Sequence, residues 1–140
     1  MIYEATIQYT VIDRNGNDRQ VKEQYVLDDW DLFAEAEAAM YNASQSFGIR
    51  ECDVVAIKRS NVKEIIKKKT TDGESVWCAE VMETMVDDNG VDKEMRYKWL
   101  FYSMTFDSAN QYVRQYMQQG YENMELVGLK RTRIKEIIQG

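Results

Sequence analysis

A chain of 140 residues with 44% hydrophobic and 30% charged side chains and a net charge of −6 can bury a core without disulfides or metals and is too apolar to stay disordered. It has no histidine, which removes the side chain that most often serves as general base near neutral pH and as nitrogen ligand for metals. No apolar run approaches the ~20 residues that span a bilayer, and Met1 to Thr6 lacks the basic-then-apolar order of a secretory signal, so a cytoplasmic protein with no membrane partner is expected.

The chain opens on strict alternation, with Tyr3, Ala5, Ile7, Tyr9 and Val11 apolar and Glu4, Thr6, Gln8 and Thr10 polar. A period of two means a strand with one wet face. Asn15-Gly16 then marks a tight hairpin turn, because both residues tolerate positive φ, and Val21, Glu23, Tyr25 and Leu27 return as a second strand. The period next changes to about 3.6, with Phe33, Ala36, Met40, Ala43, Ser44 and Phe47 on one helical stripe. Asp31 is the expected amino-terminal cap and Gly48 the left-handed carboxyl end. Asp53 to Lys58 and Val62 to Lys67 are rich in β-branched residues and read as a second pair of strands.

The same programme then runs again. Trp77, Ala79, Val81 and Met85 precede Asn89-Gly90, and Met95, Tyr97, Trp99 and Phe101 follow it. Phe106, Ala109, Val113, Tyr116 and Met117 form the helical stripe, with Thr105 as the expected cap and Gly120 as the expected end. The closing strands are Met124 to Lys130 and Ile134 to Ile138. The agreement is densest at the ends of the halves. Val55 to Ile66 and Val127 to Ile138 are identical at Val55, Lys58, Arg59, Lys63, Glu64, Ile65 and Ile66, each with its counterpart 72 residues on. Agreement of this density implies two copies of one supersecondary unit. The expected architecture is therefore a single α+β domain over residues 1–140, built from two tandem ββαββ repeats. Repeat 1 spans 1–67, a polar join spans 68–75, and repeat 2 spans 76–140. A pseudo-twofold axis is expected to relate the copies, with antiparallel sheets and one helix per repeat.

The segments Glu23-Gln24-Tyr25-Val26-Leu27, Phe33-Ala34-Glu35-Ala36-Glu37 and Val55-Ala56-Ile57-Lys58-Arg59 resemble a family of small proteins from gut Bacteroidetes and their phages, catalogued as a domain of unknown function. The resemblance covers most of the first copy and, more loosely, the second. It implies a bacterial or phage cytoplasmic setting and brings no catalytic residues. The repeated sheet-and-helix plan is also similar in architecture to the PUR and Whirly single-stranded nucleic-acid binders, which place four strands before each helix where this chain places two.

Charge is the feature that points to function. Lys58, Arg59, Lys63, Lys67, Lys68 and Lys69 in one window, and Lys130, Arg131, Arg133 and Lys135 in the other, face only Glu64 and Glu136. These windows carry +8 and the rest of the chain −14. Segregation of this kind is the footprint of a polyanion-binding edge, because Lys and Arg gain affinity by releasing counterions from phosphates. The ordinary alternative is a solvated turn whose basic residues block unwanted strand pairing. Tyr25, Tyr97, Trp99 and Tyr102 are candidates for base stacking or for a partner surface, although aromatics at alternating strand positions, as at the equivalent Tyr25 and Trp99, more often pack the core. Trp99, Phe101 and Tyr102 cannot share one face of a strand.

No enzyme is expected. Asp28-Asp29 and Asp87-Asp88 diverge on an extended chain, and Asp87 to Gly90 is turn chemistry lacking the later glutamate of a calcium loop. Cys52 and Cys78 occupy non-equivalent places and suggest idle thiols, with no metal or cofactor. The expected function is non-catalytic binding of single-stranded DNA or RNA, or another polyanion, through Lys58, Arg59, Lys63, Lys67, Lys130, Arg131, Arg133 and Lys135, in a protein of phage or mobile-element origin. The alternative is a protein-interaction or assembly module, a homo-oligomer or a binder of a host or phage protein.

Overall fold

Period-two alternation and an Asn-Gly turn build the first hairpin. The computed structural model describes residues 1–121 and 123–140. Strands β1 (Tyr3–Ile12) and β2 (Asp18–Asp28) pair antiparallel from Tyr3 opposite Leu27 to Ile12 opposite Asp18. Gly16 holds a φ of 78°, and the Asp13 carboxylate accepts from the backbone amides of Asn15 and Asn17. The second hairpin is made the same way from β5 (Ser75–Val86) and β6 (Asp92–Ser103). There Gly90 is at 74° and Asp87 accepts from Asn89 and Val91.

Each hairpin leads into a helix, α1 (Phe33–Ser46) or α2 (Phe106–Met117). The predicted stripes are the buried ones, with Ala36, Met40 and Ser44 buried in α1 and Ala109, Val113 and Met117 in α2. Phe33 and Phe106, at the helix starts, stay about half exposed and set their edges against Tyr3 and Trp77. Thr105 caps α2 with a reciprocal box through Ser108. Asp31 does not cap α1: Leu32 occupies that position and makes no side-chain bond, and a cap must immediately precede the first helical residue.

The remaining strands are β3 (Asp53–Arg59), β4 (Val62–Lys67), β7 (Met124–Arg131) and β8 (Ile134–Gln139). They correct the expected topology. β3 and β4 do not pair with each other, and neither do β7 and β8. The sheets run β3-β1-β2-β8 and β4-β6-β5-β7, so the last strand of each half lies in the sheet of the other. The exchanged strands are also parallel to their neighbours, β8 to β2 and β4 to β6, which makes each sheet mixed. The register is matched: Glu136 lies opposite Tyr25, and Glu64 opposite Trp99.

The physical reason lies in the connections. A two-residue hairpin needs positive φ, hence Asn-Gly or a similar pair, whereas β3 ends in Arg59-Ser60-Asn61 and β7 in Arg131-Thr132-Arg133, with no glycine and no positive φ. Ser60 donates its amide to Ile2 and Thr132 donates to Val76. Each β3 or β7 pairing therefore runs one residue further before the chain leaves its sheet. The result is two compact units, Met1–Ser60 with Arg133–Gly140, and Asn61–Thr132.

Within the first unit, Tyr3, Ala5, Ile7, Tyr25 and Leu27 pack beneath Ala36 and Met40. In the second, Trp77, Ala79, Val81, Trp99 and Phe101 pack beneath Ala109, Val113 and Met117. The opposite faces of the central strands are buried as well, at Val26 in one sheet and at Val76, Cys78, Leu100 and Tyr102 in the other. None of the helices among the described residues is long and apolar enough to cross a membrane.

Candidate nucleic-acid interface

The basic windows sit at the two connections where the chain leaves one sheet for the other. Each window is therefore divided: Lys58, Arg59, Arg133 and Lys135 belong to the first unit, and Lys63, Lys67, Lys130 and Arg131 to the second. In the first unit Lys58 and Arg59 lie on β3 and Lys135 on β8, with Arg133 immediately before that strand, at the opposite edges of one sheet. Three interstrand steps of ~4.8 Å separate such edges. In the second unit, β7 and β4 bear the same relation. Neither sheet gathers its basic residues along a single edge.

Seven of the eight predicted contacts, Lys58, Arg59, Lys63, Lys130, Arg131, Arg133 and Lys135, are exposed. Lys67 is the exception. Its ammonium lies 2.8 Å from the Glu74 carboxylate, which also accepts from the amides of Thr70 and Thr71. Burial raises the pKa of Glu74, yet these donors outweigh it and hold the carboxyl down at about 2. Lys67 is thus part of the clamp that shapes the 68–74 turn.

The other lysines have lighter attachments. Lys58 lies 3.9 Å from Glu4 with its side chain 76% exposed, a separation that contributes little in water. Lys135 lies 3.5 Å from Glu23. Its counterpart Lys63 sits 3.6 Å above the ring centre of Tyr97, a cation–π contact. Glu23 also accepts from the Tyr9 hydroxyl at 2.6 Å. That bond, with burial and the carboxylate charge, pushes the phenol up to about 12.

The expected stacking surface is corrected by burial. Tyr25, Trp99 and Tyr102 are 3%, 1% and 3% exposed, so they belong to the core and present no face to a base. Tyr25 stacks on Phe47, and Trp99 takes the edges of Tyr116 and Tyr121. Only Tyr97 of the four is part-exposed, and Lys63 covers it. Sequence reading placed Tyr116 on the stripe of α2 but missed Tyr112 and Tyr121, whose rings stack on it. Tyr112 donates to the carbonyl of Ile66 and Tyr116 to Glu64, which seats β4 against α2. The available signal was the i, i+4 spacing of Tyr112 and Tyr116.

Cys78 is buried, which pushes its thiol up despite the nearby Lys98 and Lys130. Cys52 is partly buried and donates to Ser44. Among the described residues no cluster of three or more His, Cys, Asp or Glu side chains is arranged to hold a metal.

One family model matches the chain over residues 1–140. The chain belongs to DUF4494, a domain of unknown function. No curated protein matches it.

Proposed function

We propose that the protein is a non-catalytic binder of polyanions, with single-stranded nucleic acid as the natural ligand. Contact is made by Lys58, Arg59, Lys63, Lys130, Arg131, Arg133 and Lys135. The observation that carries this reading is the exposure of these seven side chains in two corresponding windows of a chain whose net charge is −6. With Tyr25, Trp99 and Tyr102 in the core, affinity comes from phosphate contacts rather than base stacking, so binding is tolerant of sequence and steeply dependent on salt. In this reading the chain is an internal duplication of ββαββ units that have exchanged their last strands, and it works in the cytoplasm of a bacterial or phage-infected cell. The matched turns at Asp13 and Asp87, the matched aromatic edges at Tyr3 and Trp77, and the matched registers of β8 and β4 support the duplication.

Fluorescence anisotropy with a labelled single-stranded oligonucleotide at low salt tests the proposal. Seven phosphate contacts give a slope of log affinity against log salt of about −5 on a single strand, and reversing Lys58, Arg59, Lys130 and Arg131 to Glu abolishes binding. Affinity that ignores salt, or that survives the four reversals, refutes it. A second reading, a protein-interaction or assembly module, is favoured by the β5–β6 hairpin tip, where Met85, Val86, Val91 and Met95 are 40%, 66%, 57% and 41% exposed.

A further inference from the structure

The two units share a strand plan and differ in how they fill one corner of it. In the second unit the carboxyl end of α2 and the start of β7 contribute Tyr116, Met117, Tyr121 and Met124 to the core around Trp99. At the corresponding places the first unit has Ala43, Ser44, Ile49 and Cys52. These are smaller or more polar, and Ser44, Ile49 and Cys52 line a groove of about 860 Å³, within the range of small-molecule sites. Its floor carries Ser44, 2% exposed, whose hydroxyl donates to the Tyr41 carbonyl and accepts from the Cys52 thiol.

The walls state what kind of molecule fits. Amide side chains of Gln8, Gln20 and Gln45 line the groove together with the half-exposed ring of Tyr41. Gln8 donates its amide to the side-chain oxygen of Gln20, which leaves the Gln8 oxygen, the Gln20 amide nitrogen and the Gln45 amide as acceptors and donors, the complement of neighbouring hydroxyls. β3 begins at Asp53, opposite Gln8. Among the described residues, the edge of β1 from Tyr9 to Ile12 thus has no strand partner on that side, and its backbone groups add further donors and acceptors.

Charge excludes the alternative of a phosphate. Glu51 and Asp53 stand against Arg50 alone. The groove also takes the carboxyl end of α1, whose last turn holds no basic residue, and a helix carboxyl end carries about half a negative charge. The groove is therefore net negative and repels an anion. We infer that this groove is a binding site for a neutral polyhydroxylated small molecule, of the size of a disaccharide, held by glutamine amides and the Tyr41 ring. The site is separate from the basic windows and does not rest on the nucleic-acid reading.

Saturation-transfer difference NMR on the full chain, with maltose, cellobiose and lactose as probes, tests the inference. At least one probe receives saturation, and S44M/C52M, which installs the side chains of the second unit, removes it. Gln45→Trp, an exposed rim position, removes it as well and serves if the double variant fails to fold. Reversing Lys58, Arg59, Lys130 and Arg131 to Glu leaves the transfer unchanged. Absence of transfer to all three sugars overturns the inference. So does transfer that persists in Gln45→Trp, or inorganic phosphate displacing the sugar from the groove.

Discussion

The first and second units answer the same structural problem with different side chains. Trp99 in the second is ringed by Tyr116 and Tyr121, while its counterpart Tyr25 has, among the described residues, a single aromatic ring stacked on it, Phe47, which is itself 46% exposed. Lys63 rests on the Tyr97 ring, and the corresponding Lys135 pairs with Glu23. Backbone register dictates where two positions meet, and the side chains placed there decide the chemistry of the meeting. One frame can thus hold a filled aromatic corner in one unit and an open polar groove in the other.

The comparison is broken most severely by ending the chain after Thr132, which removes β8 from β2. Hydrogen exchange at Val26 and Leu27 then loses its protection, while β5 and β6, which draw no strand from residues 133–140, keep theirs. Equal loss in both units would mean that they do not fold as separable bodies. Next in size is Trp99→Ala, expected to cost about 3–5 kcal/mol in urea denaturation. Tyr25→Ala is expected to cost roughly 1 kcal/mol less, the worth of one aromatic pair.

The Glu74 clamp has no counterpart in the first unit, and pH isolates it. Its folded pKa of about 2 lies below the ordinary 4.5, so its contribution is complete above about 4.5 and is lost as pH falls through about 2. Glu74→Gln therefore lowers stability at neutral pH and flattens the acid limb of the stability curve over that window, measured by denaturant titration at several pH values.

The smallest effects separate the two lysines. Glu23→Gln costs about 0.2–1 kcal/mol and less in high salt, and it returns the Tyr9 phenol from about 12 toward 10.0 in a spectroscopic titration. Tyr97→Leu costs about 0.5–1 kcal/mol. A similar salt response in both variants would show that the two contacts are not different in kind.

Strands, helices and their buried stripes were legible because each depends on local pattern: alternation at Tyr3 to Val11, a 3.6 period at Ala36 to Ser44, and Asn-Gly where φ must be positive. The exchange of β4 and β8 was half legible. Arg59-Ser60-Asn61 and Arg131-Thr132-Arg133 lack the glycine a tight hairpin needs, a negative signal that the strong β-branched runs on either side obscured. Core positions for Tyr25 and Trp99 were legible from their alternation and their burial agrees, whereas the burial of Tyr102 on the opposite face was left open, because alternation assigns faces of a strand and does not say whether both are covered. The basic windows were visible as charge, yet their division between opposite sheet edges follows from pairing partners dozens of residues away.

Composition, periodicity and turn chemistry were enough to specify the ten elements seen among the described residues and their order, since these properties act over a few neighbouring residues. Which strand lies beside which, which rings are sealed from water and where a groove opens had to await the folded chain. Those outcomes depend on long-range pairing and on the volumes that meet in the core, and no local window of residues contains that information.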